Sequence, residues 1–540
     1  MSEPSPAWQD PPVTHLPLCP VLMHEDKFCG RPLHAAPQHD PIPVCLMHSL
    51  DPAKDDTQFQ QEIDTIVVAS AMVTGIADFS RFVFPTSQYM VRAFPARCIF
   101  RNAIFWKEAN FYSANFEHGA DFESAHFENE ASFTRAKFGA KANFHSAVFK
   151  GDTHFATDFA HEVTFVMAHF AQEAGFYNSS FAADATFGSV KFEGKAVFSR
   201  AVFNKKADFG NAGFLQEAFF PVATFEQEAD FMWAHFTLNV DFEHTTFKKA
   251  VIFHEAVFHA GVEFRETQFR NDGEPLPGPI FSLAQFMAPE TAVFYRTYLG
   301  QALFYTCDVS RLTFSSVHWR KRPNGKYQLF EEVVDLSAAG DLAPGPDDPN
   351  ERDYGLIAET YQQLKKNYDN RQDYWTAGDF HYGEMEMKRL HSPRKNNLAR
   401  WLHRNLGLVA WYRYASEYGE SYVRPLLALA AILAVFTLLF PIPGMVFTKP
   451  DTPNTPPSFP VLNYSDFSAY IRAYKGPAWI GTLAFFGHSL MTALSVAGFQ
   501  KELIYQPAYP WGRALALLEL LLTSTLIALF LLALRRQFRR

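Results

Sequence analysis

Phenylalanine recurs through the middle of this chain at alternating intervals of five and six residues. The stretch ANFYSANFEHG, ADFESAHFENE, ASFTRAKFGAK, ANFHSAVFKGD (109–152) repeats A-x-F-x-x-A-x-F-x-x-x with small lapses. Fifteen such units follow one another, their first Phe running from Phe111 to Phe264. Every step is eleven residues except one, where Thr153–Glu162 is a residue short. A strict period of this kind marks a repeat architecture.

Neither regular element explains the spacing. Five residues turn an α-helix by about 500°, which would spread the rings over every face. A strand alternates sides with a period of two, and five is odd. A coil with corners does fit. Each short side points one Phe inward, and the Ala two residues before it, also inward, leaves room for the ring. An eleven-residue coil is too tight for two Phe and two Ala, so two units, with four sides, make one coil. Fifteen units then give roughly seven coils and about 35 Å of rod, at about 4.8 Å per coil. Cys98 and Cys307 stand in Ala slots, two residues before Phe100 and Val309, and are expected as small buried residues.

ADF at 77–79, 207–209 and 229–231 and ANF at 109–111 and 142–144 resemble the pentapeptide-repeat family, whose pattern is A-(D/N)-L/F-x-x. The resemblance implies a right-handed quadrilateral β-helix over about residues 76–320, in a domain placed at 71–322. The extra residue on every second side is expected to bulge at a corner. NDGEPLPGP (271–279) is expected to leave the rod as a loop. Some members of the family imitate DNA and bind topoisomerases. Residues 101–270 carry 22 Asp and Glu against 15 Lys and Arg, a net charge of −7, which does not favour a dense acidic stripe. The net charge of the whole chain, −9, gives no reason to expect nucleic acid as a partner. The His of the repeats fall mostly at outward positions.

The C-terminal part is of another kind. YVRPLLALAAILAVFTLLFPIPGMVF (422–447) and ALALLELLLTSTLIALFLLAL (514–534) are apolar all round, so neither suits the surface of a soluble protein. Each reaches the length that crosses a hydrocarbon core, and the spans are placed at 423–447 and 511–535. Arg394, Lys395, Arg400, Arg404, Arg413 and Arg424 precede the first span, and Arg535, Arg536, Arg539 and Arg540 follow the second. Both flanks are therefore expected in the cytoplasm, as in a multi-pass protein of a bacterial inner membrane with both termini inside. A third apolar stretch, 477–499, would carry the basic tail outside if it crossed. A re-entrant segment keeps the charge rule, since irregular backbone is tolerated where it lines a water-filled cavity.

FFGHSLMTAL (485–494) runs into SVAGF (495–499), followed by YP (509–510) and WGRALALLELLL. This order resembles the two-transmembrane ion-channel superfamily that includes potassium channels, over about residues 420–540. The resemblance implies a pore helix, a filter at Ser495, Val496, Ala497, Gly498 and Phe499, and four subunits. Ala497 and Phe499 depart from the potassium signature T-V-G-Y-G, so potassium selectivity is not implied. Glu519, inside the second span, is expected to line or gate the pore or to bond between helices, and His488 to pack.

A linker (323–352) joins the rod to Ile357, Tyr361, Leu364 and Tyr368, which form a helical stripe. With Tyr374, Ala377, Phe380 and Met385 they make a hairpin (353–392) resembling one tetratricopeptide-like unit, which has to bury its face on a neighbour. Glu384 and Glu386 read as solvated or capping carboxylates. The aromatic and basic segment 395–422 suits a helix lying in the membrane interface, and 536–540 is a basic tail. Within the first 50 residues, Cys19, Cys29, Cys45 and His48 are suited to a Cys3His zinc site, with His24 and His34 as competing ligands. No other cofactor is expected.

No nucleophile–base pair, phosphate loop or catalytic carboxylate pair stands out, so no enzyme is expected. The expected function is an ion-channel subunit, a homo-oligomer in the lipid bilayer that passes inorganic ions. Its cytoplasmic rod would receive a ligand or protein and bias the pore. Two alternatives stand beside it: a membrane-anchored interaction scaffold without conductance, and a membrane-tethered DNA mimic that binds a topoisomerase.

Overall fold

A computed structural model describes residues 18–34, 39–270, 277–334, 352–391, 396–447, 461–474, 476–498 and 505–539. The chain forms two compact units, Met1–Gln363 and Leu364–Arg540.

In the first unit the repeats wind into a solenoid of short parallel strands, stacked in four sheets of 10, 10, 11 and 8 strands. Ala109 pairs with Ala131 and Ala120 with Ala142, so one coil takes 22 residues, as the spacing requires. The Phe and Ala slots point inward and are buried throughout. Rings of successive coils lie flat on one another: Phe100, Phe122, Phe144 and Phe165 stack at 4.6, 5.0 and 4.9 Å. Neighbouring columns meet edge to face, as Phe111 does with Phe122 at 5.8 Å and 73°. Each ring removes about 2–3 kcal/mol worth of apolar surface from water, and each favourable ring pair adds about 0.5–1.5 kcal/mol. Cys98 and Cys307 are buried in their Ala slots.

The corners explain the polar half of the repeat. At Phe111–Ala114 the Ala114 N–H bonds the Phe111 carbonyl at 3.0 Å, and Ser113 takes the left-handed conformation at φ 53°. Asn110 Oδ1 accepts the Tyr112 N–H at 3.1 Å. Asn143, Asp208 and Asp230 do the same for the amides two residues on, at 3.0, 2.8 and 2.9 Å. Where a short amide or carboxylate precedes the first Phe, it thus folds back on its own turn. The sixth residue of the longer step enters at the other corner, where Glu117, His118 and Gly119 separate Phe116 from Ala120. The short unit loses its left-handed corner residue, for no positive φ falls between Ser146 and Met167. Thr157 fills the Ala slot there, and its hydroxyl donates to the Phe133 carbonyl of the coil before. Pairing absorbs the deletion: Lys137 meets Asp158, one residue early, and Asp158 meets Ser180 in full register.

The ladders reach beyond the strict units at both ends, from Ile76 to Ser315. There are therefore ten to eleven coils, where the fifteen units alone give about seven, and the rod is roughly 50 Å long. Most of the 271–279 insertion lies outside the described residues; the sheet resumes at Pro279–Ile280.

Both ends of the solenoid are covered. Helix α1 (Asp56–Ala69) starts at Asp55, whose carboxylate accepts the Thr57 and Gln58 amides. It buries Phe59, Ile63 and Val67, and Phe59 meets Phe82 and Phe84 at 6.4 and 5.4 Å. At the other end the buried Glu331 accepts the Phe304 N–H at 2.6 Å. Helix α2 (Tyr354–Asn370) brings Tyr361 onto the Leu329 amide at 2.8 Å and Gln363 onto the Val309 amide at 3.0 Å. Such covers remove the open strand edges on which a solenoid would otherwise self-associate.

The second unit holds the end of α2, then α3 (Tyr374–Leu390), α4 (Asn397–Leu406), α5 (Leu408–Ser416) and α6 (Val423–Leu439). Helices α7 (Phe467–Ala473), α8 (Ala478–Ala497) and α9 (Pro510–Arg539) follow. Glu384 and Glu386 are not solvated: both are buried. Burial opposes charge on Glu384, but His381 beside it and the bond from Lys388 outweigh it and hold the carboxyl at about 2. Glu386 gathers Arg389, Arg413 and Tyr418 at 2.8, 2.9 and 3.0 Å. The first apolar run is helical only to Leu439, well short of residue 447. Beyond it Met445–Phe447 is a strand, antiparallel to Tyr505–Pro507, because Pro441 and Pro443 deny the helix its amides. Trp401, Leu408 and Trp411 on α4 and α5 stand exposed.

Candidate functional site

Two places bring chemistry-bearing residues together, one in each unit. The first lies on the N-terminal cover. The Cys19 amide bonds the Arg31 carbonyl and the Cys29 amide the Val21 carbonyl, both at 2.8 Å, which sets the two cysteines across a narrow hairpin. Gly30, at φ 65°, lets the chain turn directly after Cys29. Cys45 and His48 sit on one turn, closed by the His48 N–H on the Cys45 carbonyl at 3.1 Å.

Side chains converge from both pieces. The three sulfurs and one His48 nitrogen all lie within 4.8 Å of one another. Cys45 Sγ is 3.1 Å and Cys19 Sγ 3.5 Å from His48 Nδ1, and Cys29 Sγ is 3.7 Å from Cys45 Sγ. The Cys45 thiol bonded to Cys29 lowers the Cys29 sulfur into the thiolate range, with His48 and Arg31 adding to it against burial. His48 Nε2 lies 3.3 Å from the Ser80 carbonyl, which places the ring proton there and leaves Nδ1 free to ligate. This set can hold a metal ion. His24 and His34 are not in it: His34 faces Asp51 at 3.5 Å, and the His24 backbone amide bonds Asp78. Two helpers were not legible in the sequence. Arg31 donates to Cys29 Sγ at 3.4 Å. Lys54 is buried, with its amine on the carbonyls of Leu46, Ser49 and Val83.

The second place is the group α6, α8 and α9, which pack around Phe436, Phe440, Met445, Phe485, Ala493 and Val496. Helices α8 and α9 are long and apolar enough to cross a membrane, while α6 has 17 residues. Helices α6 and α9 are tied at both ends. Arg536, near the end of α9, donates to the Tyr418 carbonyl at 2.9 Å and pairs with Glu420 at 3.4 Å, just before α6. At the opposite ends Met445–Phe447 and Tyr505–Pro507 form their ribbon. The two helices are thus antiparallel, with their basic flanks together.

Helix α8 is held from that second end. Leu462, upstream of it, bridges Met445, and Tyr505–Pro507, downstream, pairs on the same short strand. Tyr464 reaches the Leu438 carbonyl at 2.6 Å, and Ser489 of α8 reaches that of Thr437 at 2.5 Å.

The expected filter is not a loop. Ser495, Val496 and Ala497 form the last turn of α8, buried, and Gly498 follows with its N–H on the Leu494 carbonyl at 2.9 Å. Phe499 lies outside the described residues. A run without glycine before Gly498 lets the helix continue through the positions where a filter needs extended backbone. Glu519 is 0% exposed, and neither carboxyl oxygen has a hydrogen-bond partner among the described residues. A residue lining the axis of an oligomer would be open on a single chain, and Glu519 is instead buried within it. His488 packs edge-on against Tyr470 at 6.3 Å.

Residues 111–156 match the family profile described as Pentapeptide repeats (9 copies). With the four-sided coil that continues on both sides of this stretch, the match supports a pentapeptide-repeat protein for the solenoid part of the chain. No curated protein and no solved structure matches the chain.

Proposed function

We propose that the chain is a membrane-anchored interaction scaffold, in which α6 and α9 hold a rigid solenoid at the bilayer. The observation that carries this is the apolar outer surface of the helices. Leu426, Leu427 and Leu438 on α6 and Leu517, Leu518 and Leu521 on α9 are half or more exposed, a surface that water does not tolerate over such an area. The solenoid interior is filled by its own rings, so a protein partner meets the outer faces. On those faces carboxylates pair with lysines about one coil away: Lys150–Glu128, Lys206–Glu228 and Lys248–Glu226 at 2.6, 2.9 and 2.7 Å. This pairing leaves no dense acidic stripe along these positions and speaks against a DNA mimic. In this reading both basic flanks are cytoplasmic, and the N-terminal cluster takes zinc, the ion that three thiolates and one imidazole suit. The test is alkaline carbonate extraction of membranes. The full chain is expected to stay in the pellet and a chain cut after residue 416 to leave it; release of the full chain defeats the proposal.

A channel subunit is the second reading, favoured by the tethering of α8. A helix of 20 residues is about 30 Å long. The seven steps from Gly498 back to Tyr505 span at most about 25 Å, which suits a segment that enters and returns on one side better than a full crossing. An oligomer would then enclose an ion path beside α8, with selectivity unlike that of potassium channels. Conductance of the purified protein in planar bilayers under several salts decides between the two readings.

A further inference from the structure

The metal cluster sits where the N-terminal cover meets the first coil, and it is attached to that coil by its own ligand. His48 Nε2 lies 3.3 Å from the Ser80 carbonyl at the first corner. The same ring stands edge-on to Phe82 at 5.1 Å. One residue earlier, the Met47 carbonyl accepts the Val83 N–H at 2.8 Å. The Lys54 amine joins the carbonyls of Leu46 and Ser49 to that of Val83. Residues 44–49 thus form a buckle between the cysteine hairpin and the open end of the stack. Val44, Cys45, Leu46 and Met47 of this buckle are buried, but in the cysteine hairpin 18–34 only Cys19 is, and a small segment of that kind needs a covalent or metal staple to hold its shape.

We propose that a zinc ion on Cys19, Cys29, Cys45 and His48 locks the N-terminal cover onto the first coil, so that this end of the solenoid is closed only in the metal-loaded chain. The inference rests on the zinc reading above. Four protein ligands make a closed, structural site with no open coordination position, so the ion organises and does not catalyse. Its ligands come from two chain segments, the hairpin of Cys19 and Cys29 and the turn of Cys45 and His48, and ion binding therefore becomes folding energy for the cover. Without it, His48 loses its fixed orientation, Ser80 and Val83 lose their partners, and the first strands become an exposed edge that invites association between copies.

The experiment uses the full chain in detergent, purified with zinc and without chelator, then stripped with a strong chelator. Bound zinc is measured by elemental analysis and amide exchange by mass spectrometry. About one zinc per chain is expected, with its thiolate ligands visible as sulfur-to-metal absorption after cobalt exchange. On stripping, peptides covering 18–34, 43–50 and 79–88 should lose protection, while those covering 120–250 keep theirs. His48→Cys separates the two ideas. Four thiolates retain the ion, but the bond to Ser80 and the contact with Phe82 are gone, so zinc stays near one per chain while 79–88 loses protection. If the chain holds no zinc, or Cys29 and Cys45 are found as a disulfide, the zinc reading fails. If zinc is bound but its removal leaves 79–88 unchanged, the ion is present and the lock is refuted.

Discussion

Val222 shows what a single residue costs in this fold. It occupies a left-handed corner position at φ 61°, where its neighbours in the series are mostly Ser, Asn or Arg. A β-branched side chain in that conformation costs about 1–2 kcal/mol, and its exposed surface returns little. Val222→Asn is expected to raise stability by about 1 kcal/mol, read as a higher urea midpoint at unchanged slope; a lower midpoint would show that the corner is not strained. Glu331 is the other residue with a measurable signature. Burial pushes its carboxyl up to about 7, against the bond from the Phe304 amide. The folded state therefore holds the proton more tightly than the unfolded one. The contribution is full below the unfolded value near 4.5 and is lost as pH rises through 7. At about 1.4 kcal/mol per unit this amounts to roughly 3 kcal/mol at the C-terminal cover. Exchange protection of residues 300–334, corrected for intrinsic rates, should fall from pH 5 to pH 8, and Glu331→Gln should flatten that fall.

At the scale of elements, the eleven-residue beat and the corner chemistry make opposite predictions for insertions. An Asn inserted between Ala156 and Thr157 restores the missing corner residue and should change stability by no more than about 1 kcal/mol. The same insertion between Ala207 and Asp208 falls inside a strand and turns the following slots outward, and this chain should not give a cooperative unfolding transition at all. Phe187→Ala, which empties one stacked slot, should cost about 3–5 kcal/mol in the same measurement. The inward slots, the size of the coil and the corner bulge were all legible, because a period of five and six admits only one arrangement of small and large residues. The end of α8 was not. SVAGF carries a filter-like order of residues, but Ser495, Val496 and Ala497 have no reason to leave a helix until Gly498. Glu384 and Glu386 misled for a similar reason. Nothing in their own segment marks them as buried, and two of the partners that fix Glu386, Arg413 and Tyr418, lie far off in sequence.

For the molecule as a whole, the ties at both ends of α6 and α9 predict a topology. With single cysteines labelled by a membrane-impermeant reagent, Ser465→Cys and Tyr509→Cys should react from one side of the membrane and Ser421→Cys from the other. Labelling of positions 465 and 509 from opposite sides would make α8 a full crossing and remove the re-entrant reading. What the amino-acid order alone determined is the solenoid and the apolar character of the last part, since both follow from local periodicity that any fold must respect. Tertiary structure decided the rest. It selected Cys19, Cys29, Cys45 and His48 from a wider set of candidates by bringing four ligand atoms within 4.8 Å. It also turned Glu519 inward and bound α8 by both flanks to one strand. Those outcomes depend on which distant groups meet, and distance along a chain says nothing of distance in space until the chain has folded.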